Sequence, residues 1–215
     1  MAVIVKNNVF ILETKNTHYV LGVDDYGYNH HLHWGKKCNA DDYFVEKIGD
    51  ENSNHTMLDE FKQEYTFFGS TVYRECDLKV EFSDKCREIN VKYLGYEAED
   101  NLLKLHFADN HYPLEITLNY QIFDGLDIIS RWITLKNTGS ESIVAERLFC
   151  AEFSFPSVKP YTFKNTNGAW GGEFLQTSNV LDGGSLVFES RKGISSHTNS
   201  PYFITHQNAD EKSGD

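Results

Sequence analysis

The clearest pattern in the sequence is an alternation of apolar and polar residues with a period of two. Between residues 114 and 122, apolar side chains occupy every second position and polar side chains lie between them. This alternation is typical of a β-strand with one buried face. The dipeptide Asp124-Gly125 then predicts a tight turn, and a second apolar run follows at 126–135. The two runs predict a β-hairpin in the middle of the chain.

Similar short runs recur along the whole chain, separated by turn-forming residues. Outside the central hairpin, the pattern predicts strands at 3–5, 9–12, 19–23, 28–34, 78–82, 89–98, 102–108, 143–153, 161–164 and 185–190. Helical periodicity is almost absent, and the one candidate is a single turn at 57–61. Many short strands joined by turns favour an all-β fold, a large antiparallel two-sheet β-sandwich.

The extent of the domain follows from what the sequence lacks. No linker-like stretch divides the chain and no internal repeat is visible, so we expect one domain over residues 1–215. The polar segment 208–215 does not have the pattern of a closing strand. We therefore expect the domain to be truncated at its carboxyl end.

Composition describes a folded, acidic protein. The 15 Phe and 12 Tyr among 215 residues favour a packed core. The net charge of −12, without a Lys/Arg-rich stripe, argues against nucleic acid and anionic membranes as partners. Residues 1–6 lack the features of a signal peptide, and the four cysteines lack metal-type spacing. We therefore expect reduced thiols in a cytoplasmic protein.

Two stretches near the end carry the most distinctive candidate chemistry. In the first, Trp170 lies among glycines, which leaves an aromatic face on a nearly bare backbone. In the second, Arg191, His197 and Asn199 occur within nine residues, together with two serine hydroxyls. An aromatic plane beside dense hydrogen-bonding groups suits a sugar ring, which has apolar faces and polar edges.

The histidine-rich segment at 30–33 invites a metal hypothesis. On a strand, His31 and His33 share one face, and such pairs occur in metal sites. A third ligand at suitable spacing is not evident in the sequence, so we predict no metal and no cofactor.

The two carboxyl-terminal stretches resemble the amino-terminal domain of α-galactosidases of glycoside hydrolase family 36. The resemblance extends, in order and spacing, to Tyr19-Val20, His33-Trp34-Gly35-Lys36, Leu58-Asp59-Glu60, Gln63-Glu64-Tyr65, Tyr112-Pro113-Leu114-Glu115 and Asp127-Ile128-Ile129-Ser130-Arg131. It implies a galactose-mutarotase-like β-supersandwich, followed in the whole enzyme by a (β/α)₈ barrel and a smaller sandwich. It also implies a retaining hydrolase of α-galactosides such as melibiose and raffinose, assembled as a homotetramer.

The resemblance places the chemistry outside this chain. Both catalytic aspartates of such enzymes lie on the barrel, and retention needs two carboxyl groups about 5 Å apart. No barrel pattern and no plausible pair occurs in this sequence, so we predict no catalytic residue and no activity for the chain alone. Its expected role is to cap the barrel and to support contacts between subunits.

The resemblance also gives each candidate residue a hypothetical role. Trp170 either contacts sugar at the pocket rim or packs at a domain interface, and His197 either binds a sugar hydroxyl or holds its own loop. Arg191 either pairs with a barrel carboxylate or is a surface charge. Asn199 either contacts ligand or shapes the turn. In some relatives an acidic residue of this region reaches a sugar in a neighbouring subunit, and Asp50 is the nearest candidate, with Asp41 and Asp42 as alternatives.

Two other function classes compete with this interpretation. One is a stand-alone carbohydrate-binding module, which would need an aromatic platform that binds sugar without help. The other is an enzyme of the aldose mutarotase type, which uses a Glu base and His acids. The segment 30–33 matches such a site poorly, because no Glu is convincingly placed beside it.

Overall fold

The computed structural model describes residues 3–45, 62–69, 75–153, 155, 160–191 and 198–207. These residues form thirteen strands and one 3₁₀ turn, Ala40–Asp42, which confirms the predicted all-β fold. No helix in these ranges is long and apolar enough to cross a membrane. The chain divides into two compact units, Met1–Ser154 and Phe155–Asp215. The helical turn at 57–61 lies outside the described residues, and the single domain over 1–215 stays a prediction.

The first unit contains two four-stranded antiparallel sheets. The first sheet consists, in spatial order, of β1 (Val3–Lys6), β2 (Val9–Glu13), β3 (Thr17–Val23) and β4 (Asn29–Lys36). The second consists of β6 (Val91–Glu99), β7 (Leu102–Asp109), β8 (Leu114–Ile122) and β9 (Ile129–Asn137). Each strand pairs with its neighbour in sequence, so both sheets are simple meanders.

A single apolar core joins the two sheets. Inward-facing side chains of the first sheet, such as Leu12 and Leu21, lie in one buried cluster with Leu105 and Leu118 of the second. Burying a leucine side chain of this kind stabilises the fold by about 1.5 to 3 kcal/mol. The alternation at 114–122 is confirmed, because its apolar residues are the buried ones.

A shorter ladder adds to this core. Strand β5 (Leu78–Glu81) pairs with β10 (Val144–Leu148), and Leu78 and Val80 of β5 are fully buried in the main cluster. On the other face of the first sheet, a small cluster of Val9, Ile11 and Val20 is covered in part by Val45.

The second unit is built around one long hairpin. Strand β11 (Tyr161–Ala169) pairs with β12 (Gly172–Leu181) on one side and with β13 (Ile204–His206) on the other. An aromatic group lies along this unit, formed by Phe155, Tyr161, Phe163, Phe188 and Phe203. Most side chains of β12 are exposed.

The structure corrects several predicted strands. The predicted strand at 185–190 is wrong, because these residues have no regular secondary structure, and β12 was not predicted. Strand β12 escapes prediction because most of its side chains are exposed, which leaves no clean alternation in the sequence. The strand predicted at 143–153 is shorter, at Val144–Leu148. The four cysteines are free thiols.

Candidate functional site

The tip of the β11–β12 hairpin presents Trp170 to solvent. The turn consists of Trp170 and Gly171, between the paired residues Ala169 and Gly172. Gly171 has a positive φ of 77°, and its backbone nitrogen donates to the Glu173 carboxylate at 3.0 Å. The indole is 89% exposed, so this ring is available to a ligand or to another protein surface.

Gly168 makes the projection of this tip possible. The β11–β12 register shifts between Asn167 and Ala169, so that Gly168 of β11 lies opposite two residues of β12, Glu173 and Phe174. Its φ is 151°, and a Cβ atom at this position would collide with the backbone of Gly172 and Glu173. Only glycine fits here without displacing the partner strand.

Asn199 lies beside the same hairpin. It forms an isolated bridge with Asn167, three residues before Trp170. Its side-chain nitrogen donates to the backbone oxygen of Glu189 at 3.0 Å. The amide therefore connects two backbone segments. This contact agrees with the alternative in which Asn199 shapes the turn instead of contacting a ligand.

Arg191 shares Glu189 with Asn199. The Nε and Nη2 atoms of Arg191 lie 3.1 and 3.0 Å from the Glu189 Oε2 atom. The arginine side chain is 84% exposed, so this pair contributes little to stability. The guanidinium remains accessible to a second anion. The structure thus gathers Arg191, Glu189 and Asn199 around one segment that is bridged to β11.

Two predicted site residues cannot be placed in this geometry. His197 and Asp50 lie outside the described residues, and their roles stay predictions. Of the two alternatives to Asp50, Asp41 forms an exposed ion pair with Lys6, and Asp42 ends the 3₁₀ turn with its side chain exposed.

A compact hydrogen-bond group supports the base of the hairpin. The hydroxyl of Thr166 lies 2.8 Å from that of Ser200 and 2.9 Å from that of Tyr202. The buried Asn165 amide donates to the backbone oxygens of Ser200 and Tyr202. These contacts fix the segment 198–202 against β11, so its hydroxyls are held in place.

The first unit contains a buried ionic cluster around Glu64. This carboxylate is fully buried and accepts hydrogen bonds from the Tyr19 hydroxyl at 2.7 Å and the Tyr120 hydroxyl at 2.8 Å. Arg131 Nη1 lies 3.0 Å from it, and His31 Nδ1 lies 3.1 Å from it. Four strands of two sheets thus contribute one group each to a single carboxylate.

The charge state of Glu64 follows from these partners. Burial by itself would raise its pKa, but the Arg131 charge and hydrogen bonds from His31 and Tyr19 more than offset this and lower the pKa. Burial and the nearby Glu64 charge raise the pKa of Tyr19 and of Tyr120 well above the usual value. The cluster is therefore an ionised carboxylate held by neutral phenols and one guanidinium.

The sequence contained a signal for this cluster. Arg131 lies on the same face of β9 as Ile129, Ile133 and Leu135, all of which contact the core. An arginine at an inward position of a half-buried strand requires an anionic partner. The identity of that partner was not predictable, because Glu64 lies 67 residues away in an irregular segment.

The side chains of the histidine-rich segment contact carboxylates and the backbone. His30 Nε2 lies 2.8 Å from Asp24, His31 contacts Glu64, and His33 Nε2 lies 3.0 Å from the Lys36 backbone oxygen. Within the ranges that the structure describes, no three His, Cys, Asp or Glu residues are grouped to hold a metal ion.

Together these features define an antiparallel β-sandwich protein with an exposed tryptophan at the tip of a hairpin and fixed polar groups nearer the base of that hairpin. Comparison with known families then identifies it: the chain belongs to the glycosyl hydrolase family 36 N-terminal domain family, which it matches over residues 27–215.

Several bacterial α-galactosidases resemble the chain. The bifunctional α-galactosidase/sucrose kinase AgaSK of Mediterraneibacter gnavus is 26% identical, over 95% of this chain and 25% of its own length. α-Galactosidase AgaA of Geobacillus stearothermophilus is also 26% identical, over 96% of this chain and 32% of its own length. The crystal structure of AgaB from Geobacillus stearothermophilus matches with a TM-score of 0.85 at 25% identity, covering 98% of this chain and 33% of AgaB. The chain thus spans a third or less of these relatives.

Proposed function

We propose that this chain is the amino-terminal part of a cytoplasmic retaining α-galactosidase that hydrolyses terminal α-galactosides. The observation that carries the proposal is the family match over residues 27–215. The coverage of relatives supports it further, since nearly all of this chain corresponds to about a third of AgaA and a quarter of AgaSK.

The proposed substrates are oligosaccharides of the melibiose and raffinose class. Variants of AgaA were solved in complex with raffinose and with stachyose, which are substrates of this kind. The exposed Trp170 ring and the fixed polar groups of Asn199 and Glu189 on the same unit supply the types of chemistry that recognise a neutral sugar, a flat apolar face and hydrogen-bonding groups.

The proposed role of this domain is to cap the catalytic barrel, to form part of the rim of its pocket and to support contacts in a homotetramer. An 89% exposed tryptophan on a hairpin tip supports a contact role, because a tryptophan side chain buries a large area when a partner covers it. Arg191 supports it as well, since its exposed guanidinium is free to pair with a carboxylate of another domain.

A stand-alone carbohydrate-binding module is the second candidate, and the same exposure of Trp170 favours it. The two proposals differ in what the isolated chain does. A binding module takes up sugar by itself, whereas a domain that completes a barrel pocket does not.

The test is a titration of the ¹⁵N-labelled chain with galactose and raffinose, followed by amide chemical shifts. The α-galactosidase proposal predicts no saturable shifts near Trp170, and joining the chain to a catalytic barrel of the family should then create binding. Saturable shifts that disappear in Trp170→Ala would favour the binding module.

We also predict that the chain alone does not hydrolyse an aryl α-galactoside. The measurement is release of the aryl group by chain purified from a host that lacks α-galactosidase. Turnover that follows the protein through successive columns would contradict this prediction.

A further inference from the structure

A second carboxyl group lies buried close to the Glu64 cluster. Asp77 is 3% exposed, and its Oδ2 atom accepts from the Thr66 backbone nitrogen at 2.9 Å. The hydroxyl of Thr66 lies 3.1 Å from the same oxygen and 3.2 Å from the Oε2 atom of Glu152. Two carboxyl groups thus meet at one threonine side chain.

The contacts of this group favour the retention of one extra proton. The Thr66 hydroxyl accepts from the Asp77 backbone nitrogen at 3.0 Å and has a single proton to donate, so it can fully satisfy only one carboxylate. Because both carboxyl groups contact this one hydroxyl, they lie close to each other. Two negative charges at such a site repel, which favours retention of a proton by one of the two groups.

The electrostatic surroundings agree with a retained proton. Burial raises the pKa of Asp77, although hydrogen bonds from Thr66, the charge of Arg131 and the contact with Glu152 act in the opposite direction. Among the residues that the structure describes, the other titratable or charged groups that face this site are Tyr65, Cys76, Tyr120, Cys150 and Lys79. Arg131 is already engaged with Glu64, so it does not neutralise both carboxyl groups.

The pair fastens the segment that follows β10. The backbone nitrogen of Phe149 donates to the Asp77 backbone oxygen at 2.9 Å, and the Tyr65 hydroxyl donates to the Phe149 backbone oxygen at 3.0 Å. At the end of this segment, the Phe153 ring lies 5.5 Å from the ring of Trp34. Glu152 is the side-chain anchor between these backbone contacts and that aromatic pair.

We propose that Asp77 and Glu152 share one proton and form a pH-sensitive latch that holds residues 149–153 against the core of the first unit. Loss of the proton places two negative charges on one hydroxyl, which weakens the attachment of Glu152 and of the Phe153–Trp34 pair. Residues 149–153 then detach while the two sheets remain folded.

The direction of the pH effect follows from proton linkage. The folded protein binds the shared proton more tightly than the unfolded chain does, so the pair stabilises the fold fully at pH values below the ordinary carboxyl pKa. This stabilisation is lost as the pH rises through the raised pKa of the pair.

The experiment compares wild type with Glu152→Gln, whose amide supplies a permanent donor to Asp77 in place of the shared proton. Melting temperature is measured between about pH 4 and about pH 9, a range that brackets ordinary and raised carboxyl pKa values. Glu97→Gln is the matched control, because Glu97 is exposed and pairs with Lys104. We expect the melting temperature of wild type and control to fall by several degrees with rising pH, and that of Glu152→Gln to fall clearly less.

A direct measurement keeps the proposal testable if Glu152→Gln folds poorly. The ¹³C carboxyl shifts of Asp77 and Glu152 in wild type should report uptake of one proton above the ordinary carboxyl range. Ionisation of both groups within the ordinary range would overturn the proposal. The same pH slope in wild type and Glu152→Gln would overturn it as well.

Discussion

The Glu64 cluster of the first unit and the Trp170 hairpin of the second unit use aromatic side chains in opposite ways. In the cluster, Tyr19 and Tyr120 are buried and donate their hydroxyl protons to one carboxylate. In the hairpin, Trp170 is exposed and its surroundings are glycine. The first arrangement makes the fold depend on a few polar contacts, and the second leaves a ring available to a partner at little expense to the fold.

The largest effect should follow from breaking the buried cluster. Glu64→Ala leaves Arg131 charged and without its carboxylate in the core, so we expect a loss of about 3 to 5 kcal/mol in the free energy of unfolding. Urea denaturation measures this loss. The control Glu97→Ala removes a solvent-exposed pair with Lys104 and should change stability far less, because water screens such a pair. Similar losses in the two variants would show that the buried Glu64 contacts stabilise the fold no more than an exposed ion pair does.

The buried cluster should also make the stability of the first unit depend on pH in the acid range, which the exposed hairpin should not. The pKa of Glu64 is lower in the folded protein than in the unfolded chain, where it is about 4.3. Its stabilisation is therefore complete above that pH and is lost as the pH falls through the folded pKa. The urea midpoint of wild type should decrease in this acid range, and that of Glu64→Gln should decrease less. Parallel acid curves for the two proteins would contradict the assignment.

In the hairpin, the backbone matters more than the ring. Gly168→Ala forces a Cβ atom against Gly172 at a positive φ, and we expect a loss of about 1 to 3 kcal/mol. Gly171→Ala is the matched control, because Gly171 also has a positive φ but no atom within 4 Å of the added Cβ. It should lose about 1 kcal/mol or less. Thermal melting distinguishes the variants, and a larger loss in Gly171→Ala would refute the close contact.

The smallest effect should come from the ring itself. Trp170→Ala removes a side chain that is 89% exposed, so we expect the free energy of unfolding to change by no more than about 0.5 kcal/mol. Phe107→Ala is the reference. Because the Phe107 side chain is fully buried, its removal should lower the free energy of unfolding by about 3 to 5 kcal/mol. A large drop in melting temperature for Trp170→Ala would identify Trp170 as part of the core.

The comparison also explains how far the sequence could predict the structure. Strands that bury one face, such as β8, were predictable because burial imposes a period of two on the sequence. Strand β12 was not, since its pairing with β11 is made by backbone atoms and its side chains are mostly exposed. The exposure of Trp170 agrees with its glycine neighbours, which offer no side chains to cover it.

The polar contacts were less predictable than the strands. The period of two on β9 puts Arg131 at an inward position, which we did not predict as a site, and its partner Glu64 follows no sequence pattern, because the pairing depends on how two sheets stack. Arg191 and Asn199 were chosen for their chemical types. Their shared contact with Glu189 depends on the path of an irregular segment, which period and spacing do not encode.

The convergence of two sheets on Glu64 has a consequence for how the first unit folds. Tyr19 and His31 belong to the first sheet, whereas Tyr120 and Arg131 belong to the second. If either sheet formed alone, Glu64 would have only half of these donors and its side chain would lie open to water, so neither the core nor the full set of contacts would form. Partly folded states with one sheet are therefore disfavoured, and the two meanders gain stability as a single cooperative unit, although each has only local strand connections.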